Sequence, residues 1–271
     1  MNRNGQQTAD RAADRTHEPL SRSDIDVSGR PRYASGARED LLTGGRILRR
    51  AFLKTPLRYA PKDATLIRAG EREPAVILLR SGFAFRFCVL DDGRRAILDL
   101  LTPGDAAGLD YLVLANPVAE ITAASRVGYH ALDPADFCAL LVDRCVATSV
   151  LALIAEARWR SERLSVMIGR LDAQARIAAL ILGIHDRLRR RGLTDGVSFN
   201  LPLTQEQIAD HLGLTVVHVN RTLRRLREGR LVLLDRQVVM ILDLEGLREL
   251  ARGLPQTAET LEPLIPLDRL P

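Results

Sequence analysis

From about residue 60 to 135 the apolar positions fall in short runs broken by glycine, and from Pro134 to about 191 they recur at helical spacing. The first pattern predicts strands and the second predicts helices. The β-rich runs are residues 64–67, 75–79, 83–90, 96–101 and 121–132, with Asp91-Asp92-Gly93 as a hairpin turn between two of them. Short strands at this spacing predict an antiparallel barrel or jelly roll. Residues 1–45 are polar, charged and without apolar periodicity, which predicts a loose extension. In the helical stretch Ala147, Val150, Ile154, Ala157, Ser161, Leu164, Ile168 and Leu171 alternate at spacings of three and four, a heptad seam. Such a seam can pair with a second copy or pack on its own barrel.

Residues 204–230, TQEQIADHLGLTVVHVNRTLRRLREGR, hold two amphipathic patterns on either side of a glycine. Thr204 with Gln207 makes a capping box, and Ile208, Ala209 and Leu212 give the first helix an apolar face. Gly213 ends it, because a helix C-terminus needs a left-handed residue and glycine takes that conformation freely. Thr215 is a natural N-cap for a second helix with inward positions Val216, Val219, Leu223 and Leu226. The small and apolar residues at 209, 213 and 219 fit the close crossing of a helix-turn-helix, and make it a better reading than a solvated helical hairpin. The outer face carries Arg221, Arg224, Arg225, Arg227 and Arg230 against the single acid Glu228, the footprint of a polyanion reader. Beyond Gly229, the runs at 231–234 and 238–241 flank Asp235-Arg236-Gln237 and read as a β-hairpin wing.

At 271 residues and 46% hydrophobic content the chain can fill two domain cores, and its net charge of +5 is a weak signal by itself. Lysine occurs only at Lys54 and Lys62, so the positive charge is almost all arginine, which suits phosphate and guanine but also follows from genome composition. No apolar run reaches about eighteen residues and the N-terminus lacks a hydrophobic signal core, so neither membrane nor secretion is expected, and the cytoplasm is. Cys88, Cys138 and Cys145 make no disulfide framework and no CxxC pair. The five histidines lie singly, short of the clustered ligands of a cupin-type metal enzyme, so no catalytic and no metal site is expected.

The order barrel, long helix, helix-turn-helix, wing over residues 60–252 resembles the Crp/Fnr family of bacterial transcription regulators. Gly70, Gly82, Asp92-Gly93, Pro103-Gly104-Asp105 and Gly108 are similar to the glycine punctuation of the family's cyclic-nucleotide-binding-type barrel. Leu171-Asp172 and Arg176-Ile177-Ala178 resemble its hinge. The resemblance implies a homodimer on a palindromic operator, with RNA polymerase as protein partner and no catalysis. Cyclic-AMP-binding members hold the phosphate with a Gly-Glu pair and a later Arg-Ser or Arg-Thr pair. Here Leu109 follows Gly108, and the arginine position falls near Pro117-Val118, in a stretch without a basic residue. The usual cyclic-AMP chemistry is therefore not expected, since the phosphate lacks its charged partner. Oxygen-sensing members use four thiolates, which three scattered cysteines do not supply. No cofactor is expected, and the effector stays unknown.

The recognition helix departs as well. Where many members carry a glutamate three residues before a Ser-Arg or Gly-Arg pair, this chain has Val217 and Asn220-Arg221. By resemblance Arg221 reads guanine; Val217 suits a thymine methyl, Asn220 has the geometry for adenine, and His218 is a further candidate. Packing for Val217 and phosphate contact for Asn220 and His218 stand as alternatives.

The expected class is α+β: an N-terminal antiparallel β-barrel or jelly roll, a long dimerisation helix and a C-terminal winged helix-turn-helix. The expected partition is an extension at 1–45, a sensor barrel with flanking helices at 46–142, a dimer helix at 143–171, a DNA-binding domain at 172–252 and a tail at 253–271. Expected DNA contacts are Thr204, Thr215, Val217, His218, Asn220, Arg221, Arg224 and Arg225; expected dimer contacts are Val150, Ile154, Ala157, Leu164, Ile168 and Leu171. The competing function is a small-molecule-binding signalling module whose main output is not direct DNA binding.

Overall fold

A computed structural model describes residues 33–71, 74–114, 119–194 and 196–254. The β-rich part forms two antiparallel four-stranded sheets, the jelly-roll form of the expected fold. One has the order β1-β8-β3-β6, from Arg58–Ala60, Val127–Leu132, Val76–Ser81 and Ala106–Ala107. The other has β2-β7-β4-β5, from Thr65–Ile67, Glu120–Ala123, Ala84–Val89 and Arg95–Leu101. Side chains alternate faces along a strand, and β3 uses both. Its Ile77 and Leu79 join Ile67, Ile121 and Val127 between the sheets, whereas Val76 and Leu78 face a helical layer.

That layer comprises α1 (Tyr33–Leu53), α2 (Pro134–Leu140) and α3 (Arg144–Arg170), which contribute Leu48, Phe52, Phe137, Val146, Val150 and Leu153. Gly44 is a point of close approach, since a Cβ there would collide with the Cys145 carbonyl oxygen. Asp133 and Asp143 cap α2 and α3 through their carboxylates, and Pro134 takes the first turn of α2, where its missing N–H costs nothing.

The outer face of the second sheet, with Phe85, Ile97 and Leu100, is continuous with the core of the C-terminal part. There α4 (Ala173–Arg190) runs between β5 and a three-stranded sheet of order β10-β11-β9, from Val232–Asp235, Val238–Ile241 and Ser198–Asn200. Helices α5 (Gln205–Leu212), α6 (Val216–Glu228) and α7 (Leu244–Leu250) complete it. The wing hairpin closes on two residues, Arg236 and Gln237, both at positive φ (44° and 71°). That geometry matches the right-handed twist of the strands, although glycine or asparagine is the usual occupant.

Several expectations change. The helix α1 begins at Tyr33, so the extension expected over 1–45 does not hold for 33–45, where Leu41 is already buried; residues 1–32 lie outside the described residues. The run 121–132 is two strands, β7 and β8, parted where Ser125 Oγ accepts from the Phe83 amide. Strands β1, β6 and β9 are too short for a periodicity to register. Most of the tail expected at 253–271, namely 255–271, lies outside the described residues.

Candidate nucleic-acid interface

Local capping chemistry sets the two helices of the reading head. Thr204 Oγ1 accepts from the Gln207 amide at 3.1 Å while Gln207 Oε1 accepts from the Thr204 amide at 2.9 Å, closing the capping box of α5. Gly213, at φ 62°, turns the chain, and Thr215 Oγ1 accepts from the His218 amide to start α6. Val219 and Leu226 are fully buried against α4 and α5. Val216 is 41% exposed, a correction to its expected inward place: it follows the N-cap directly, ahead of the helix's first buried position.

The face of α6 turned to solvent carries Val217, Asn220, Arg221 and Arg224, at spacings that put all four on one side of a helix. His218 and Arg225 are exposed beside them, and Val217 is 72% exposed, which removes packing as its role. Arg224 is held by Glu228 at 2.7 Å, a surface pair weak enough for a phosphate to displace. Val217, Asn220, Arg221 and Arg224 also line a groove of about 490 Å³ between α6 and the wing, together with Gln205, Arg227, Val232 and Leu234. Arg227 belongs to the basic face read from the sequence, though not to the expected contacts; the sequence pattern does not single out Gln205, which heads α5 within the motif itself. Thr204 and Thr215 spend their oxygens on capping and keep their hydroxyl protons to donate.

The contacts that tie the head to the rest of the chain include three arginine-centred sets. Arg176 donates to the carbonyls of Ile168 and Leu171 at the end of α3 and to that of Leu212 at the end of α5, so one guanidinium serves two helix C-termini. Arg95 on β5 reaches Asp210 on α5 at 2.7 Å and lies over the rings of Phe85 and Phe87. Asp105, buried after β5, receives Arg187 of α4 and Arg191 at its C-cap together with the Thr102 amide and hydroxyl. Burial alone would raise the Asp105 carboxyl, but the two guanidinium groups outweigh it and hold it well below the usual carboxylate range.

In the sensor part Gly108 has φ 91° and leads into the 3-10 turn Asp110–Leu112, where Asp110 is engaged by Arg86 at 2.7 Å. Tyr111 donates to the Ala119 carbonyl; burial and the neighbouring Asp110 push its phenol up to about 12. Pro117-Val118, read as the position of the missing arginine, lie outside the described residues. Among the described residues no group of three or more His, Cys, Asp or Glu could hold a metal ion, and the three cysteines are free.

Along α3 the expected dimer seam divides. Ile154 and Ile168 are 47% and 40% exposed, with Leu151 beside them at 68%, while Ala157 is half-buried. Val150 is corrected, because at 7% exposed it is taken up by the chain's own core with Leu48 and Phe137. Leu164 and Leu171 are likewise partly buried against the core shared with the reading head.

A double-sheet N-terminal domain joined by a long helix to an exposed winged helix-turn-helix defines a DNA-binding regulator. A Crp-like helix-turn-helix domain matches residues 175–250, and a cyclic nucleotide-binding domain matches residues 57–144. The chain is 32% identical over 194 residues to the transcriptional activatory protein AadR of Rhodopseudomonas palustris, spanning 69% of this chain and 77% of that one. It is 31% identical over 209 residues to the nitrogen fixation regulation protein FixK of Azorhizobium caulinodans, spanning 74% and 80%. The structure of FixK2 from Bradyrhizobium japonicum superimposes with a TM-score of 0.67 at 23% identity, over 74% of this chain and 99% of that one, a likeness of fold. The chain belongs to the Crp/Fnr family: it is a transcription regulator with a helix-turn-helix DNA-binding domain and a cyclic-nucleotide-binding-like domain.

Proposed function

We propose that the protein binds a palindromic operator as a homodimer, each α6 reading one half-site through Val217, Asn220 and Arg221 with His218 beside them. Thr204, Thr215, Arg224 and Arg225 then hold the phosphate backbone. The observation that carries this reading is the joint exposure of Val217, Asn220, Arg221 and Arg224 along one face of α6, flush with the groove to the wing. Arg221 takes a guanine through O6 and N7, Asn220 an adenine through N6 and N7, and Val217 a thymine methyl. Half-sites preferred here therefore differ from those of glutamate-bearing members. The exposed part of the α3 seam, Ile154 and Ile168 with Leu151, supplies the twofold contact.

The names of AadR and FixK, an activatory protein and a nitrogen fixation regulator, support a regulatory output that includes activation; RNA polymerase as partner, the cytoplasm as location and the absence of catalysis belong to the same proposal. Cyclic AMP is not the signal, because Leu109 follows Gly108 and Arg86, which reaches the turn after it, is already engaged by Asp110. Selection of bound sites from a random DNA pool without added nucleotide tests the reading. Enrichment of an inverted repeat supports it; no enriched sequence contradicts it. In the same preparation a saturable thermal shift with cyclic AMP would overturn the exclusion of that ligand, since even about a hundredfold excess over Kd stabilises by about 2.7 kcal/mol.

A further inference from the structure

Beside the reading head lies a second concavity, a cleft of about 310 Å³ bounded by β5, α3, α4 and His211 of α5. Its size is that of a small-molecule site, and its walls are mainly apolar, including Leu98, Ala152, Ala155, Leu164 and Leu180. Leu98 reaches it through a β-bulge, since β4 pairs Arg86 with Asp99 and Phe87 with Ile97 and leaves Leu98 as the extra residue.

Three features single this cleft out. Arg163 projects here over the Trp159 ring at 5.5 Å, partly buried, and among the described residues it forms no ion pair. Arg187, 8% exposed, gives two of its nitrogens to Asp105 and the Leu100 carbonyl, but its buried Nε has no acceptor among the described residues. Gly183 stands in the middle of α4, where glycine costs about 1 kcal/mol relative to alanine, yet a Cβ there would meet nothing within 4 Å. No close approach explains it, and its missing side chain leaves the cleft open. Of the acids at the rim, Asp99 and Glu156 are engaged by Arg160 at 2.7 and 3.9 Å, whereas Asp186, 3.5 Å from His185 Nδ1 without a hydrogen bond to it, is an acidic neighbour of Arg163 outside ion-pair distance.

The geometry points to a binding site for a small aromatic anion, its flat apolar body between Trp159 and Gly183 and its charged group received by Arg163, with the Arg187 Nε in reserve. The occupant is not a second copy of the chain. At about 100° per residue Trp159 and Arg163 lie on the side of α3 roughly opposite to Ile154 and Ser161, so a partner on the exposed seam leaves the cleft empty. An occupant touches the sensor sheet, the long helix and the DNA-binding domain together.

Titration of the full-length protein with anilinonaphthalene sulfonate, an aromatic anion that fluoresces when shielded from water, tests this without DNA, so its failure and that of the operator reading are separable. One saturable site per chain is expected. Gly183→Leu fills the cleft and should abolish binding while the unfolding midpoint holds or rises, because leucine favours a helix. Arg163→Gln should weaken the dye by about tenfold or more but change binding of neutral phenylnaphthylamine by less than about twofold. Ile154→Glu should leave dye binding intact. Dye binding that survives both cleft substitutions overturns the proposal, and so does binding lost only in Ile154→Glu.

Discussion

His211 closes the contact between the reading head and the sensor sheet. It is buried, and its Nδ1 donates to the Ile97 carbonyl at 3.1 Å. Burial pushes its imidazole down, helped by Arg187, while the Ile97 hydrogen bond and Asp99 act in the other direction. The unfolded chain then binds a proton that the folded chain refuses, so stability is full above the unfolded value of about 6.5 and is lost as pH falls below it. The unfolding midpoint should decline between about pH 7 and 5, and His211→Gln, which can still donate to Ile97, should flatten that decline. An unchanged slope in the variant would remove His211 as the source. Val217 carries a different expectation at this scale. With Val217→Glu, a carboxylate able to accept from a cytosine N4 replaces a methyl-contacting surface, so site selection should return a half-site with a cytosine opposite the start of α6. An identical motif would mean that Val217 does not face a base.

Among the elements, those held by local chemistry are legible in the amino-acid sequence itself. Thr204 with Gln207, Gly213 and Thr215 announce α5, the turn and α6, because capping acts over three or four residues. The wing is visible as two apolar runs, but its turn is not, since Arg236 and Gln237 take positive φ without glycine or asparagine. Long-range partners leave no local trace. Asp105 reads as part of a Pro-Gly-Asp turn, and only folding brings Arg187 and Arg191 to it. Periodicity in α3 likewise declares one apolar face without saying what covers it, which is why Val150 belongs to the chain's own core while Ile154 faces outward. For that reason Ile154→Glu, not a change at the half-buried Leu164, is the clean probe of the dimer. It places two like charges across the twofold axis and should dissociate the dimer in sedimentation, lowering affinity for a full palindrome by roughly 10² while half-site binding changes little. A dimer that persists with full affinity would place the twofold contact elsewhere.

At the scale of the whole chain, each sheet of the sensor is covered on its outer side by a different part: one by α1, α2 and α3, the other by the DNA-binding domain. The second covering is fastened by charge, with Asp105 between Arg187 and Arg191 and Asp210 on Arg95, while Asp99 on Arg160 ties the same sheet to α3. Breaking such buried pairs one partner at a time is costly, so the head sits on the sheet as a defined unit while the reading face of α6 stays open. In the reading proposed above, sequence-specific binding rests on that face. Its most direct test is a titration of Arg221→Ala against the wild type on the selected operator and on operators changed at each guanine. Loss of about 1–3 kcal/mol of discrimination at one guanine position, with affinity for unrelated DNA nearly unchanged, is the expected result. Equal weakening on every sequence would reduce Arg221 to a phosphate contact and contradict sequence reading by α6.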